Sequence, residues 1–376
     1  MGLGRGASSM RVVFWAAVLL VAYTYAGYPL WLYIRSRRRG GVVRARGARL
    51  PVSIVMAVRN EEKSLGAKLR NLLDQDYPPQ MCEIIVVSDG SSDGTNEILA
   101  AHAGGRVRAL PLPQPQGKAA ALNRGMAAAR GDIVVFTDAR QRIGAGAVGQ
   151  LVDNFADPSV GAVSGELILG SEAGWGLGLY WRWEKQIRQW ESAAASTIGA
   201  TGALYAVRRT LLTPLPQGTI LDDVYLPLQV ARQGKRVCFE PAARAYDELG
   251  DAKHEFRRKV RTLTGNYQLL QLAPWLLTRA NPVRFEFVSH KLLRLLIPLA
   301  LAALLISALF LPQPLYRLAL GLQCGFYGLA ALAGYRDRLS WVGRLADMSR
   351  SFLLLNTAAA VAFFYFVTGR RAVWIR

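Results

Sequence analysis

Cysteine and histidine are scarce in this chain of 376 residues, with three of each. Cys82, Cys238 and Cys324 lie far apart, their number is odd and no C-x-x-C pair occurs. A disulfide scaffold and a thiolate zinc site are thereby excluded as organising features. His102, His254 and His290 form no H-E-x-x-H cluster, so a histidine-based metal centre is not expected either. Acids are the next shortage: 26 Asp and Glu face 46 Lys and Arg, a net charge of +20. No Walker A pattern occurs, and no G-x-G-x-x-G fingerprint directly follows any of the four strand-like runs described below. A phosphate group must then be held by cations rather than by a glycine cradle. Internal repeats are absent too.

What is abundant is apolar sequence, 52% of the chain, and it gathers at the two ends. Val12 to Ile34 is uncharged over its whole length. That exceeds the roughly 20 residues that span a bilayer as a helix and is too long for a signal-peptide core. Tyr23, Tyr25, Tyr28, Trp31 and Tyr33 crowd its second half, as at a membrane interface. Arg35, Arg37, Arg38, Arg39, Arg44, Arg46 and Arg49 follow at once. By the positive-inside rule this side faces the cytoplasm; a nucleic-acid arm is the competing reading of the cluster. Leu292–Leu311 and Leu315–Tyr335 are further candidate spans, and Phe352–Val367 is a shorter one. Arg336, Arg338, Arg344 and Arg350 between the last two agree with an inside loop, whereas Arg370, Arg371 and Arg376 would then lie outside, against the rule. The sequence leaves the number of spans at three or four. It divides into residues 1–49 (first span and basic segment), 50–287 (soluble character) and 288–376 (two or three further spans).

Within 50–287, apolar β-rich runs alternate with helical patterns. Val52–Val58 is the first run, and Asn60-Glu61-Glu62 opens a helix with Leu65, Leu69, Leu72 and Leu73 at helical spacing. Ile84–Val87 precedes Asp89-Gly90-Ser91-Ser92-Asp93-Gly94-Thr95; Val107–Leu110 is a weak third run; Ala119–Ala129 is helical; Ile133–Phe136 ends in Thr137-Asp138-Ala139-Arg140. This alternation predicts an α/β fold with a mainly parallel sheet covered on both faces. Ligands of such sheets bind outside the carboxyl ends of the strands, where Asp89 and Asp138 stand. Asp89 and Asp93 equally suit a turn and a helix N-cap. Asp138 follows an apolar run with no turn glycine, so its carboxylate needs a partner, and a metal-bound diphosphate is one.

The order of these segments resembles glycosyltransferase family 2, in its membrane-embedded cellulose-synthase-like and hyaluronan-synthase-like branch. The resemblance rests on P-V-S-I-V-M-A-V-R-N-E-E (51–62), E-I-I-V-V-S-D-G-S-S-D-G-T (83–95), G-K-A-A-A-L-N-R-G (117–125), D-I-V-V-F-T-D-A-R (132–140), G-A-L-Y-A-V-R-R (202–209) and L-D-D (221–223). It implies a GT-A (Rossmann-like) catalytic domain flanked by transmembrane helices, and a nucleotide-sugar donor for hexosyl or N-acetylhexosaminyl transfer in glycan or polysaccharide biosynthesis. Ala57 and Glu61 would line the nucleotide pocket, Asp89 would contact the base and Lys118 would lie near the donor. Asp138 takes the first place of the D-x-D motif and would bind Mg²⁺ or Mn²⁺. Arg140 stands where the second acid belongs, and its guanidinium itself suits contact with phosphate. Asp223 matches the general base of the T-E-D motif and Asp222 its Glu; the pair also suits a helix N-terminus.

The Q-x-x-R-W stretch of processive synthases corresponds to Arg258-Lys259-Val260-Arg261-Thr262. Arg261 is kept, and Thr262 replaces the tryptophan on which the acceptor sugar stacks. Arg257, Arg258, Lys259 and Arg261 suit a diphosphate or, alternatively, anionic lipid. Trp175, Tyr180, Trp181, Trp183 and Trp190 read as core or interface anchors, or as an acceptor platform. The resemblance therefore implies an inverting transferase of the plasma membrane with a cytoplasmic catalytic domain. Its acceptor would be a glycan or a lipid-linked group, its product would not be a long chain, and nucleic acid is not a partner. The alternative is a catalytically inactive nucleotide-sugar-binding membrane regulator, for which Arg140 speaks.

Overall fold

The computed structural model describes residues 2–38, 47, 49–170, 175–247, 252–335 and 340–369. Arg39, Arg44, Arg46, Arg336, Arg338, Arg370, Arg371 and Arg376 lie outside the described residues.

Eight strands build the centre of the molecule: β1 (Val52–Val58), β2 (Cys82–Asp89), β3 (Val107–Leu112), β4 (Ile133–Phe136), β5 (Arg142–Ile143), β6 (Val160–Leu169), β7 (Tyr205–Arg208) and β8 (Arg236–Asp247). They form one sheet in the order β3-β2-β1-β4-β7-β6-β8-β5. β1 and β4 have the bounds expected from sequence. β2 and β3 are longer, and β3 continues through Pro111, which an edge strand tolerates because one side of its backbone has no partner.

β1 pairs in parallel with β2 and β4, and β2 with β3. β7 pairs antiparallel with β4 and β6, β8 runs parallel to β6, and β5 runs antiparallel to β8. β5 and β7 thus oppose the other strands. The sheet is mixed: six strands share one direction, in line with the βαβ pattern, and the two reversed strands are what that pattern did not anticipate. The reversal has a structural consequence. β7 starts where β4 ends, with Tyr205 opposite Phe136, so the loop leading into β7 lands beside Asp138.

Side chains alternate across the sheet with the strand period of two. Ile54, Met56, Ile84, Val86 and Val135 enter one apolar layer with Leu65, Leu69 and Leu72. Val55, Ile85, Val87, Val134 and Phe136 enter the other with Leu122, Val224 and Leu228. Each fully buried Val, Leu or Ile contributes about 1.5–3 kcal/mol, so the two layers hold the strand ends, and the polar groups on them, in fixed register.

Four helices are long and apolar enough to cross a membrane: Ser8–Ser36, Arg284–Leu309, Pro314–Ala333 and Trp341–Val367. The last is longer than its sequence signal because Arg344, Asp347 and Arg350 interrupt the hydropathy of its first turns; Arg350 pairs with Asp347 at 2.8 Å. Leu19, Leu309, Leu322 and Val367 point outward. Two other helices join these four to the sheet domain. Ile187 and Ala194 of the Trp175–Ala194 helix pack on Tyr28 and Leu32. Val260 and Tyr267 of the Ala252–Leu272 helix pack on Leu295, Ala358 and Ala362. A buried polar cluster reinforces the first junction: Glu184 lies 2.7 Å from Arg294 and 3.2 Å from His290, whose Nδ1 is 2.6 Å from Glu191.

Candidate active site

Four segments meet at the carboxyl edge of the sheet. Asp138 follows β4, Lys118 opens the Lys118–Ala128 helix, Asp222 and Asp223 open the Asp222–Arg232 helix, and Gly202 precedes β7. Lys118 Nζ lies 3.0 Å from Asp138 Oδ1 and 3.1 Å from Asp222 Oδ1. Burial works against its charge, but Asp138, Asp222 and Asp223 outweigh it and hold the ammonium well above its usual range. Asp222 is buried, and its Oδ2 accepts the Tyr205 hydroxyl at 3.2 Å. Tyr205 is itself stacked on Phe136 at 4.7 Å, which ties the β4–β7 register to the acid.

Asp223 is placed differently. The Gly202 N–H donates to its Oδ2 at 2.9 Å, and its carboxylate borders a cavity. A methyl group on Gly202 would sit 3.3 Å from Asp223 Oδ2 and 3.6 Å from Asp138 Oδ2, so both acids face one small space and only glycine leaves it open. Burial first, then the neighbouring Asp222, pushes the Asp223 carboxyl up to about 6, against the pull of Lys118. A carboxylate of that basicity is matched to general-base work near neutral pH. Asp222, with both oxygens engaged, holds Lys118 and Tyr205 in place.

The cavity has a volume of about 500 Å³. Asp138, Gly202 and Asp223 form its sheet end. Its other wall comes from the Trp175–Ala194 and Ala252–Leu272 helices, with Trp181, Lys185, Arg258, Lys259, Arg261 and Thr262. Arg258 is already engaged, 3.2 Å from Asp247 and 2.9 Å from Glu255. Arg261 has no ion-pair partner among the described residues. Thr262 donates its hydroxyl to the Arg258 carbonyl at 3.0 Å and presents no aromatic face. Trp181 borders the same cavity from the opposite helix. Arg257 is exposed and Trp183 points outward.

At the end of β2, Asp89 accepts the backbone N–H groups of Gln116 (2.6 Å) and Gly117 (2.9 Å), which fixes the turn that delivers Lys118. Gly90 is required here: its φ is +59° and a Cβ would lie 2.4 Å from the Pro115 nitrogen. Asp93, just before the Gly94 N-cap of the next helix, accepts the Thr95 N–H at 3.1 Å, close to the turn-and-cap alternative read from sequence. Ala57 lies near the end of β1, partly buried against the second apolar layer. Glu61 accepts the Ser64 hydroxyl at 2.7 Å and the Arg140 Nε at 3.1 Å. Arg140 is therefore paired with Glu61 rather than placed on the Asp138 side.

Lys68 was not singled out by sequence reasoning. It is buried beneath the Asp138 loop, with Nζ donating to Thr137 Oγ1 at 2.8 Å and to the Gln141 carbonyl at 2.5 Å. Burial pulls its ammonium down to about 7, opposed by Asp138. The signal was available: Lys68 shares the buried helix face with Leu65, Leu69 and Leu72, where a lysine needs a polar partner. Gly144, Gly146 and Gly149 do carry G-x-G-x-x-G spacing after the two-residue β5, but they open a short helix, Ala147–Val152, packed in the first apolar layer.

The donor set bears on a metal ion. Among the described residues no three His, Cys, Asp or Glu side chains converge. Asp138 offers one carboxylate, 39% exposed, with Oδ1 on Lys118 and Oδ2 toward the Gly202 space. That fits Mg²⁺ or Mn²⁺, which are commonly held by one or two carboxylates plus substrate phosphates, and not an all-protein cage.

The sheet and the segments at its edge match a known family model over residues 53–212. That model is glycosyl transferase family 2. The chain is 28% identical over 232 residues to the probable glycosyltransferase YdaM of Bacillus subtilis, covering 57% of this chain and 55% of that protein. It spans about half the length of that curated relative. It is 26% identical over 322 residues to a beta-monoglucosyldiacylglycerol synthase of Synechocystis, covering 80% of this chain and 67% of that one. Among solved structures, a mannosyltransferase from Pyrobaculum calidifontis in complex with GDP-Man and Mn²⁺ is similar with a TM-score of 0.74 and 25% identity, covering 96% of this chain and all of that chain. The match extends beyond the sheet to the apolar helices and gives the domain a GT-A-like fold.

Proposed function

We propose that this protein is a membrane-embedded glycosyltransferase that moves a sugar from a nucleotide-sugar donor to a hydroxyl of a lipid-linked or glycan acceptor, with inversion at the anomeric carbon. The observation that carries this reading is Asp223, a cavity-facing carboxyl raised to about 6 and sharing its space with Asp138. The family 2 domain and the nucleotide-sugar complex of the Pyrobaculum mannosyltransferase support it.

In this reading Asp223 accepts the acceptor proton as the new C–O bond forms, a contribution of roughly 10²–10⁴-fold. Asp222 acts through Lys118 and through the start of its helix, without touching substrate. Ala57, Glu61 and Asp89 border the nucleotide. Arg261, and Arg258 in part, face the diphosphate as its charge grows. Asp138 would hold Mg²⁺ or Mn²⁺, which supplies countercharge to the leaving diphosphate when bound. Thr262 gives a growing polymer no stacking face, which favours a short product. The catalytic segment lies on the cytoplasmic side, where nucleotide sugars are made and the arginines after the first span belong; added protease should spare it in sealed cells.

An inactive nucleotide-sugar-binding regulator would need no proton acceptor in the cavity. The test is to supply nanodisc-embedded protein with labelled nucleotide sugars, with and without a chelator. Metal-dependent label transfer to an extractable product is expected; donor binding without any turnover would overturn the transferase reading in favour of the regulator.

A further inference from the structure

The helical wall of the cavity holds polar groups that the donor chemistry leaves unused. Lys259 Nζ lies 4.2 Å from the ring centre of Trp181 and 5.4 Å from that of Tyr180. The acids nearest to it are spent elsewhere: Glu184 on Arg294 at 2.7 Å and Glu255 on Arg258 at 2.9 Å. Lys185 is taken by Glu166. Lys259 has no ion-pair partner among the described residues, and the Trp181 Nε1–H is buried with no hydrogen-bond acceptor. A buried donor left unmet is costly, and beside an ammonium it suits an oxygen-rich anion.

Two further observations narrow the anion. The helices carrying Trp181 and Lys259 are the two that pack on the apolar spans, and Val260, next to Lys259, lies in that packing. The wall is therefore continuous with the long apolar helices. At the sheet end stands Asp223, a proton acceptor, which a hydroxyl nucleophile needs and an already ionised phosphate nucleophile does not.

We infer that the acceptor is a hydroxyl on an anionic phospholipid headgroup, with its phosphodiester held by Lys259 and the Trp181 Nε1–H. This rests on the glycosyltransferase reading above and names its acceptor class. In the step, the headgroup oxygen bonds to the anomeric carbon and its proton passes to Asp223. The anomeric C–O bond to the diphosphate breaks, and the electron pair leaves with the nucleoside diphosphate. Burial pulls the Lys259 ammonium down to about 8, and a phosphodiester beside it would favour the charged form.

The experiment uses the full chain in phosphatidylcholine nanodiscs doped with either phosphatidylglycerol or diacylglycerol, at saturating donor. Label should enter phosphatidylglycerol. A hydrogen bond to a charged group contributes about 1.5–3 kcal/mol, so Lys259→Gln should raise the acceptor KM tenfold to a hundredfold without moving the donor KM. Lys259→Arg should recover most of the loss, and Trp181→Phe, which keeps the ring and removes the N–H, should raise the acceptor KM less. Native mass spectrometry should show less phosphatidylglycerol on Lys259→Gln than on wild type, independently of turnover. Soluble glycerol phosphate separates the sources: weak inhibition without efficient transfer supports a lipid headgroup, and efficient transfer to it removes the lipid from the inference. Equal use of diacylglycerol, or a shift in donor KM instead of acceptor KM, overturns the inference while leaving the transferase reading intact. Failure to bind or turn over any nucleotide sugar sinks that reading itself.

Discussion

Asp138 and Asp223 reach the cavity from the sheet edge, with Lys118 paired to Asp138 behind them; Trp181, Lys259 and Arg261 reach it from two helices that rest on the long apolar helices. The first set is held by backbone register. β4 pairs with β1 and β7, Gly202 N–H donates to Asp223, and Asp89 fixes the turn before Lys118. The second set is held by side chains from distant segments, such as the Glu184–Arg294 pair, whose partners stand 110 residues apart. A site held in this way tolerates little change in what it binds, because Asp138 cannot move without disturbing β4 and Asp223 is tied through Gly202 to the segment before β7. A wall of packed helices can change its occupant by single substitutions. In the proposed reading, the common chemistry belongs to the sheet edge and acceptor choice to the helical wall.

Asp223→Asn would break that division most sharply. It keeps the Gly202 hydrogen bond and removes the basic lone pairs, so transfer should fall roughly 10²–10⁴-fold with donor affinity nearly unchanged. Transfer within threefold of wild type would move the base elsewhere. Asp138→Ala should come next, lowering transfer by about 10²-fold through lost countercharge, chiefly as weaker metal-dependent donor binding in a titration. An unchanged metal dependence would place the ion away from Asp138.

The pH profile gives a smaller effect on the same half of the site. Asp223 accepts a proton only as carboxylate, and its carboxyl is raised to about 6. The sign follows: transfer should be flat above that pH and fall about tenfold per unit below it. kcat/KM measured from pH 4.5 to 8 checks this. An acid limb near 4 would mean that Asp223 is neither buried nor crowded by Asp222 when substrate is absent.

The two halves also differed in how far sequence exposed them. β1, β4 and the Lys118–Ala128 helix were legible because each is set by local periodicity, and Asp138 stands just past the end of β4. β7 was not, since its antiparallel direction depends on pairing with β4 and β6 rather than on its own four residues. Lys68 was written into the apolar stripe of its helix, yet its partners, Thr137 and the Gln141 carbonyl, are in a loop about 70 residues on. Trp181 and Lys259 could be marked as aromatic and basic. That they meet across one cavity is a property of helix packing, which no local pattern carries.

The smallest effect belongs to residue 140, where the sequence departs from D-x-D. Arg140 pairs with Glu61 at 3.1 Å, and its side chain is 57% exposed. Pairs this open are worth about 0–1 kcal/mol, so Arg140→Asp should lower Tm by no more than about 2–4 °C. The gain would appear elsewhere. A second carboxylate two residues after Asp138 supplies the ligand that a hard divalent ion most readily adds, so the Mn²⁺ concentration for half-maximal transfer should drop. Thermal unfolding and a Mn²⁺ titration of the same preparation separate the two effects. A lower metal requirement at nearly constant Tm means that residue 140 can turn from Glu61 toward the diphosphate and that one carboxylate limits the wild type. An unchanged requirement means that the loop gripped by Lys68 fixes residue 140 away from the ion, and that Lys118 and Arg261 provide the countercharge a second acid would have recruited.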